Sequence, residues 1–206
     1  MSGSITLENR FGVNKMELIS LKYAIFVIVL LVLYYCFPKK YRWYVLLAGS
    51  MAYYVIICKW YVLFIIFTIC TTYGSTIWID KLLKEQNAIV KSHKEDWDRQ
   101  TRKEYKEKGR KKRVAVMLFA LLCNFGILAF LKYIPYAGEL GLLLPLGISF
   151  YTFQSMGYVM DVYREIVEPE KNFLKVALFV SFFPQIIQGP IAIYDKLAGQ
   201  LYEGHS

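Results

Sequence analysis

Residues 60–79 read WYVLFIIFTICTTYGSTIWI, twenty positions without a charge. At 1.5 Å per residue a helix of that length covers about 30 Å, the hydrocarbon thickness of a bilayer. Five more windows share this character: 23–37, 43–58, 114–131, 140–160 and 176–194. All 25 Lys+Arg and 16 Asp+Glu residues of the 206-residue chain fall outside the six. Together with 56% hydrophobic and 17% aromatic residues, this segregation excludes a disordered chain, a disulfide scaffold and an ordinary water-soluble domain. The windows are too long and continuous for barrel strands, so they must satisfy their backbone as helices. The expected fold is all-α: a polytopic integral membrane helical bundle of about five to six spans, with one broken or re-entrant segment.

Windows 60–79, 114–131 and 140–160 are long enough to cross unaided. Window 23–37 borrows Met16–Leu21, with Glu17 and Lys22 reaching toward the interface. Window 43–58 is completed by Trp43 and Tyr44 at one interface and by Lys59 and Trp60 at the other, so 43–79 reads as a tight helical hairpin. The residues preceding the first window carry charges, and bulky aromatics and lysines follow it, which describes a retained anchor rather than a cleaved signal peptide. Cys36, Cys58, Cys70 and Cys123 lie in or at the end of apolar windows without CxxC spacing. They read as small hydrophobes, and no metal site is expected.

Charge counting gives an orientation. Residues 80–113 carry 13 basic residues, and Lys39, Lys40, Arg42, Arg164 and Lys171 fall on the same side. The other side receives Lys59, Lys132 and the three basic residues of 1–22. A multi-pass membrane protein with its N-terminus outside and the long loop in the cytoplasm is expected. Within 80–113, Asp98 with Arg102, Glu104 with Lys108 and Glu107 with Lys111 are spaced for i,i+4 pairing, and Trp97, Thr101 and Tyr105 form a less polar stripe. The segment reads as a basic cytoplasmic loop or interfacial helix that meets anionic membrane lipid, with an acidic carrier protein as the other partner it would suit. Nucleic-acid binding is not expected, because the basic run abuts a span and lacks base-stacking aromatics.

The densest information lies in 140–160 and just beyond. Pro145 suits a helix start. At about 100° per residue, Gly147, Tyr151, Gln154, Ser155, Tyr158 and Asp161 share one arc, while Phe153, Met156, Val159 and Met160 lie opposite. A polar stripe on a greasy helix must face a partner helix or a water-filled path. Interhelical hydrogen bonding and the wall of a substrate channel both fit, with Gln154 and Asp161 the residues to test first. Residues 179–191, FVSFFPQIIQGPI, add Pro184, Gly189 and Pro190 together with the amides of Gln185 and Gln188. Broken backbone at membrane depth needs protein or a cavity around it. A kinked or re-entrant element beside a functional cavity and a proline-kinked packing helix both satisfy that requirement. No catalytic constellation is complete: His93 belongs to the charged loop, His205 is penultimate, and P-loop, Rossmann and HExxH patterns are absent.

Leu144-Pro-Leu-Gly-Ile-Ser-Phe-Tyr-Thr-Phe-Gln-Ser155, then Tyr158-Val-Met-Asp-Val-Tyr-Arg164, then residues 179–191 resemble, in order, the membrane-bound O-acyltransferase family. The closer resemblance is to its bacterial branch, which acts in alginate O-acetylation and teichoic acid D-alanine transfer. Phe37-Pro-Lys-Lys-Tyr-Arg42 adds weaker support. The resemblance runs from about Met16 to the end, so it implies that 16–206 is the N-terminal part of an acyltransferase domain and 1–15 a poorly ordered extension. It further implies acyl transfer, acetyl above all, from a cytoplasmic thioester donor such as acetyl-CoA or an acyl-carrier protein to a hydroxyl of an extracellular or envelope polysaccharide. A partner envelope acyltransferase protein is compatible with it. On this reading Tyr151, Gln154, Ser155, Tyr158, Asp161, Gln185 and Gln188 are the substrate-channel candidates. No cofactor is bound permanently. The family's catalytic histidine belongs to a later intramembrane segment that neither His93 nor His205 matches, so no catalytic residue is assigned and the chain alone is expected to be inactive. The competing reading is a non-catalytic polytopic protein, a transporter or assembly subunit, or a truncated remnant.

Overall fold

The computed structural model describes residues 21–58, 62–93, 97–133 and 147–182, together with Pro184 and Tyr194. All regular elements among them are helical. Helix α1, Leu21–Cys36, ends where Phe37 and Pro38 interrupt it. Pro38 is extended, and the carbonyl it offers accepts from the Tyr41 N–H at 2.9 Å, which opens a single 3-10 turn over Lys39–Tyr41. Arg42 then starts α2, Arg42–Cys58. Its Nε donates to the Phe37 carbonyl at 3.2 Å, and its guanidinium lies over the rings of Tyr34 and Tyr35, 5.2 and 5.5 Å from their centroids. The basic turn thus folds back on the end of α1, and α1 packs along α2.

Helices α3, Val62–Ser92, and α4, Arg99–Tyr133, are each long and apolar enough to cross a membrane. Their 31 and 35 residues correspond to about 46 and 52 Å, well beyond a hydrocarbon core of about 30 Å. The polar stretch 80–113 is therefore the end of α3 and the start of α4, paired outside the apolar windows, and not an independent helix. A helix already nucleated in an apolar segment extends at little further cost, and side-chain contacts here hold the extension. The Gln86 amide donates to the Lys106 carbonyl at 2.9 Å, and Gly109 comes so close that a Cβ there would stand 2.5 Å from the Gln86 amide carbon. At the tip His93 stacks on Trp97, whose ring meets Tyr105, with centroids 4.9 and 5.1 Å apart. Trp97 and Tyr105 of the less polar stripe thus close the hairpin. Arg102 Nε donates to the Trp97 carbonyl at 3.1 Å, and the Lys84 and Lys81 ammonium groups pair with Asp80 and Glu85 on α3.

Helix α5, Ile148–Tyr163, starts three residues after Pro145, which lies outside the described residues. Gly147 is its N-cap with φ 74°, a left-handed conformation that costs a residue bearing a Cβ about 1–2 kcal/mol. Helix α6, Phe173–Ser181, is capped by Asn172, whose side-chain oxygen accepts from the Leu174 N–H at 3.0 Å. Its nine residues give a rod of about 13 Å, too short to span, and Val176 through Ser181 are all buried against α2, α3 and α5. The end follows from sequence: Pro184 has no N–H to give the Val180 carbonyl.

The distribution of polarity is that of a lipid-embedded bundle. Leu122 is 72% exposed, Ile56 70% and Phe119 64%, whereas Thr72, Thr76, Ser155 and Ser181 are fully buried. A water-soluble fold would reverse that order.

Candidate functional site

The interior polar groups lie along the seam where α3, α5 and α6 meet. On α3, Thr68, Thr72, Ser75 and Thr76 recur at the three-to-four-residue spacing of one helix face and are all buried. Hydroxyls there return their protons to the helix: Thr76 Oγ1 donates to the Thr72 carbonyl at 2.9 Å and Ser75 Oγ to the same carbonyl at 3.0 Å. Such back-bonding lets Ser75 and Thr76 enter an apolar bundle without an unpaired donor, whereas the Thr72 hydroxyl is buried with no partner among the described residues. Helix α4 contributes Asn124, whose Nδ2 donates to Thr71 Oγ1 at 2.9 Å and to the Ala120 carbonyl at 2.8 Å.

Four of the α5 candidates face this seam. Tyr151, Gln154, Ser155 and Tyr158 are all buried, but so are Met156 and Val159 of the half expected to lie opposite, where Phe153 is the exposed position, so α5 is enclosed on more than its polar arc. Gln154 Nε2 donates to the Phe179 carbonyl at 2.9 Å, tying α5 to the last turn of α6, where a carbonyl lacks a normal helical partner. Ser155 Oγ donates to the Tyr151 carbonyl at 2.6 Å. The Tyr158 hydroxyl accepts from the Glu170 N–H at 2.8 Å and lies beside Thr76. Asp161, one turn further, is half-buried, and its carboxylate has no ion pair or hydrogen bond among the described residues. Gln185 and Gln188 lie outside the described residues.

Glu170, which the sequence pattern does not mark, is the hub at this end of the seam. Its Oε1 accepts from the Asn172 N–H at 2.9 Å, its Oε2 accepts from the Tyr194 hydroxyl at 3.3 Å, and Lys175 Nζ stands 3.7 Å from Oε2. The Tyr194 ring is packed against Tyr158 and Phe179, with centroids 4.3 and 4.9 Å away. The connection from α5 to α6 is also anchored to α3, since the Tyr73 hydroxyl donates to the Lys171 carbonyl at 3.0 Å. The signal that would have found Glu170 is its place in a short polar connection between two apolar windows. Helical periodicity stops before reaching it.

Beside the hub, α4 presents its last cations before the apolar window. Arg113 is buried and donates through one terminal nitrogen to Glu165 Oε1 at 2.8 Å. Glu165 holds φ 62°, the one positive φ outside glycine among the described residues. Arg110 Nε reaches the Tyr163 hydroxyl at 3.5 Å, and this contact raises the guanidinium pKa. Asp161, Glu165, Glu170, Arg110 and Arg113 therefore share one end of the bundle. Chemically this end offers carboxylates, phenols and guanidinium groups at the edge of a dry, hydrogen-bonded interior.

The chain is 46% identical to the probable alginate O-acetylase AlgI of Pseudomonas aeruginosa over 59 residues, 29% of this chain and 11% of that protein. It is 37% identical to the probable alginate O-acetylase AlgI of Azotobacter vinelandii over 83 residues, 40% of this chain and 15% of that protein. To the peptidoglycan O-acetyltransferase of Helicobacter pylori it is 32% identical, across 41% of this chain and 23% of the relative. The chain thus spans only between 11% and 23% of the length of these curated relatives. No protein-family model and no solved structure matches it. The similarity agrees with the resemblance carried by the α5 and α6 sequence blocks. Together with the apolar exterior, it makes this a helical membrane protein similar to O-acetyltransferases.

Proposed function

We propose that the chain forms the N-terminal part of a multi-pass membrane-bound O-acyltransferase that passes an acetyl group from a cytoplasmic thioester donor to a hydroxyl of an extracellular or cell-envelope polysaccharide. The observation that carries this reading is the identity shared with alginate and peptidoglycan O-acetyltransferases. The donor chemistry is that of acetyl-CoA or an acyl-carrier protein. The basic hairpin arms of α3 and α4 lie on the cytoplasmic side by the positive-inside rule, which puts the N-terminus outside. Asp161, half-buried and without a partner among the described residues, borders the polar path, whereas Gln154 ties α5 to α6 in its wall. Transfer needs a base for the acceptor hydroxyl. His93 stacks on Trp97 at the hairpin tip, far along α3 from the seam, so on this reading the base comes from elsewhere in the full-length enzyme and the chain alone transfers nothing.

A chimera tests the proposal. This chain replaces the corresponding residues of the Pseudomonas aeruginosa alginate O-acetylase, and alginate acetyl esters are measured in a strain lacking that protein. Acetylation by the chimera and none by the chain alone is the expected result. Activity from the chain alone, or an inert chimera that reaches the membrane intact, would contradict it. In an active chimera Asp161→Asn should lower ester content at unchanged membrane level; full activity would remove Asp161 from the path.

A further inference from the structure

The turn between α1 and α2 carries a side-chain cluster that the acyl-transfer reading leaves unused. Arg42 is half-buried and its guanidinium is held by one edge and by its face. Nε donates to the Phe37 carbonyl at 3.2 Å, and the central carbon stands 5.2 and 5.5 Å from the ring centroids of Tyr34 and Tyr35. Neither contact uses the terminal nitrogens, which have no hydrogen-bond or ion-pair partner among the described residues. A lysine or a water molecule could serve the Phe37 carbonyl. A planar fork fixed from behind instead presets the bidentate geometry that a phosphate takes. No acid compensates the charge: from Leu18 to Ile79 the sequence holds no Asp or Glu, while Lys39 and Lys40 are exposed in the same turn. The Lys40 ammonium lies 5.8 Å from the centroid of the Tyr41 ring, and it forms no ion pair among the described residues.

The depth of the turn selects the occupant. Apolar windows 23–37 and 43–58 end on either side of it, so it lies where hydrocarbon gives way to headgroups. The single 3-10 turn Lys39–Tyr41 rises about 6 Å, within the 5–8 Å or so that the headgroup layer adds on each side. Arg42 is thus fixed at the level of lipid phosphates. Tyr35, Phe37, Tyr41 and Tyr44 are exposed around it, rings of the kind that settle among glycerol and upper acyl groups. A zwitterionic lipid would bring its own cation toward Lys39 and Lys40, whereas phosphatidylglycerol brings none. We infer that the α1–α2 turn binds the phosphodiester of an anionic phospholipid in the terminal fork of Arg42, with Lys39 and Lys40 disfavouring zwitterionic lipid. The site needs both elements, the end of α1 supplying rings and carbonyl and α2 the guanidinium, and it stands whether or not the chain transfers acyl groups.

Trp43, beside Arg42 and stacked on Tyr44 with centroids 3.6 Å apart, reports the lipid there once Trp60→Phe, Trp78→Phe and Trp97→Phe have removed the other tryptophans. This protein is placed in phosphatidylcholine nanodiscs containing brominated phosphatidylglycerol or, separately, brominated phosphatidylcholine. Quenching at equal mole fraction gives the relative association constant, expected to favour phosphatidylglycerol by about tenfold at physiological salt. Arg42→Gln should cut that preference about fivefold, and Arg42→Lys, which keeps the charge without the fork, about threefold. Diffuse attraction scales with charge and would make Lys39→Gln with Lys40→Gln the more damaging change. A fork reverses that order, so the double variant should lose only about twofold. Millimolar inorganic phosphate at constant ionic strength should leave the preference intact. Its abolition there would make a free anion the ligand and overturn the lipid assignment. So would no preference before any change at Arg42, an Arg42→Lys variant that keeps it in full, or a lysine pair that costs more than Arg42→Gln. Circular dichroism verifies each fold.

Discussion

Replacing Gln154 by methionine removes one amide from the centre of the bundle while nearly preserving side-chain length. The amide donates to the Phe179 carbonyl at 2.9 Å, and both residues are almost fully buried. An interhelical hydrogen bond in a membrane protein is worth about 0.6 kcal/mol on average and about 1.7 at most. A carbonyl left buried and unpaired costs about 1–3 kcal/mol. Phe179 lies in the last turn of α6, where carbonyls have already run out of helical donors. The Gln154→Met variant should therefore lose about 1–2 kcal/mol. Gln154→Ala should lose about 1 kcal/mol or more beyond that, because the deleted atoms leave a cavity between α5 and α6. Unfolding in mixed micelles of a mild detergent and dodecyl sulfate, followed by circular dichroism, measures both. Equal stability of Gln154→Met and wild type, or a methionine variant weaker than the alanine one, would refute the argument that this amide serves as the C-terminal partner of α6.

Asn124 provides the contrast. Its Thr71 partner keeps its own hydrogen bonds to the Phe67 and Thr68 carbonyls, and Asn124 Oδ1 is buried without a partner, so Asn124→Leu should change stability by less than about 1 kcal/mol in the same assay. Gly109→Ala should destabilise the hairpin while Gln86 is present, since the new Cβ displaces the side chain bonded to the Lys106 carbonyl. On a Gln86→Ala background the same change should gain about 0.8–1 kcal/mol from helix propensity, and limited proteolysis of the hairpin reads the reversal of sign. At Glu165 the strained φ and the ion pair oppose each other: Glu165→Gly relieves about 1–2 kcal/mol of strain and leaves the buried Arg113 guanidinium without its carboxylate, a loss of about 1–3 kcal/mol. Its thermal midpoint should stay near wild type, while that of Glu165→Val, β-branched in a left-handed position, should fall.

Much of the architecture could be read from charge placement alone. The windows 43–58 and 114–131, and residues 62–79 of the window 60–79, appear within α2, α4 and α3, because an apolar segment at membrane depth leaves the backbone no alternative to a helix. Helical periodicity, a local property, placed Tyr151, Gln154, Ser155 and Tyr158 on one buried arc, but not the burial of Met156 and Val159 opposite them, which follows from α3, α4 and α6 packing around α5. Helix ends were less legible. Nothing local stops α3 at residue 79, and its continuation to Ser92 depends on Gln86 meeting Lys106 and Gly109 of another helix.

What only the tertiary structure decided is which polar groups meet. That Gln154 would find a carbonyl 25 positions away, or that Glu170 would gather Tyr158, Asn172, Lys175 and Tyr194 around it, is encoded in no single segment. Periodicity assigns a side chain to a face, but hydrogen bonds of about 3 Å are fixed by how the faces cross. Packing against several helices at once sets that crossing. The sequence by itself thus determined that this is a helical membrane protein with polar side chains along α5, while the fold decided that Gln154 ties α5 to α6 and that Glu170 closes one end of the seam.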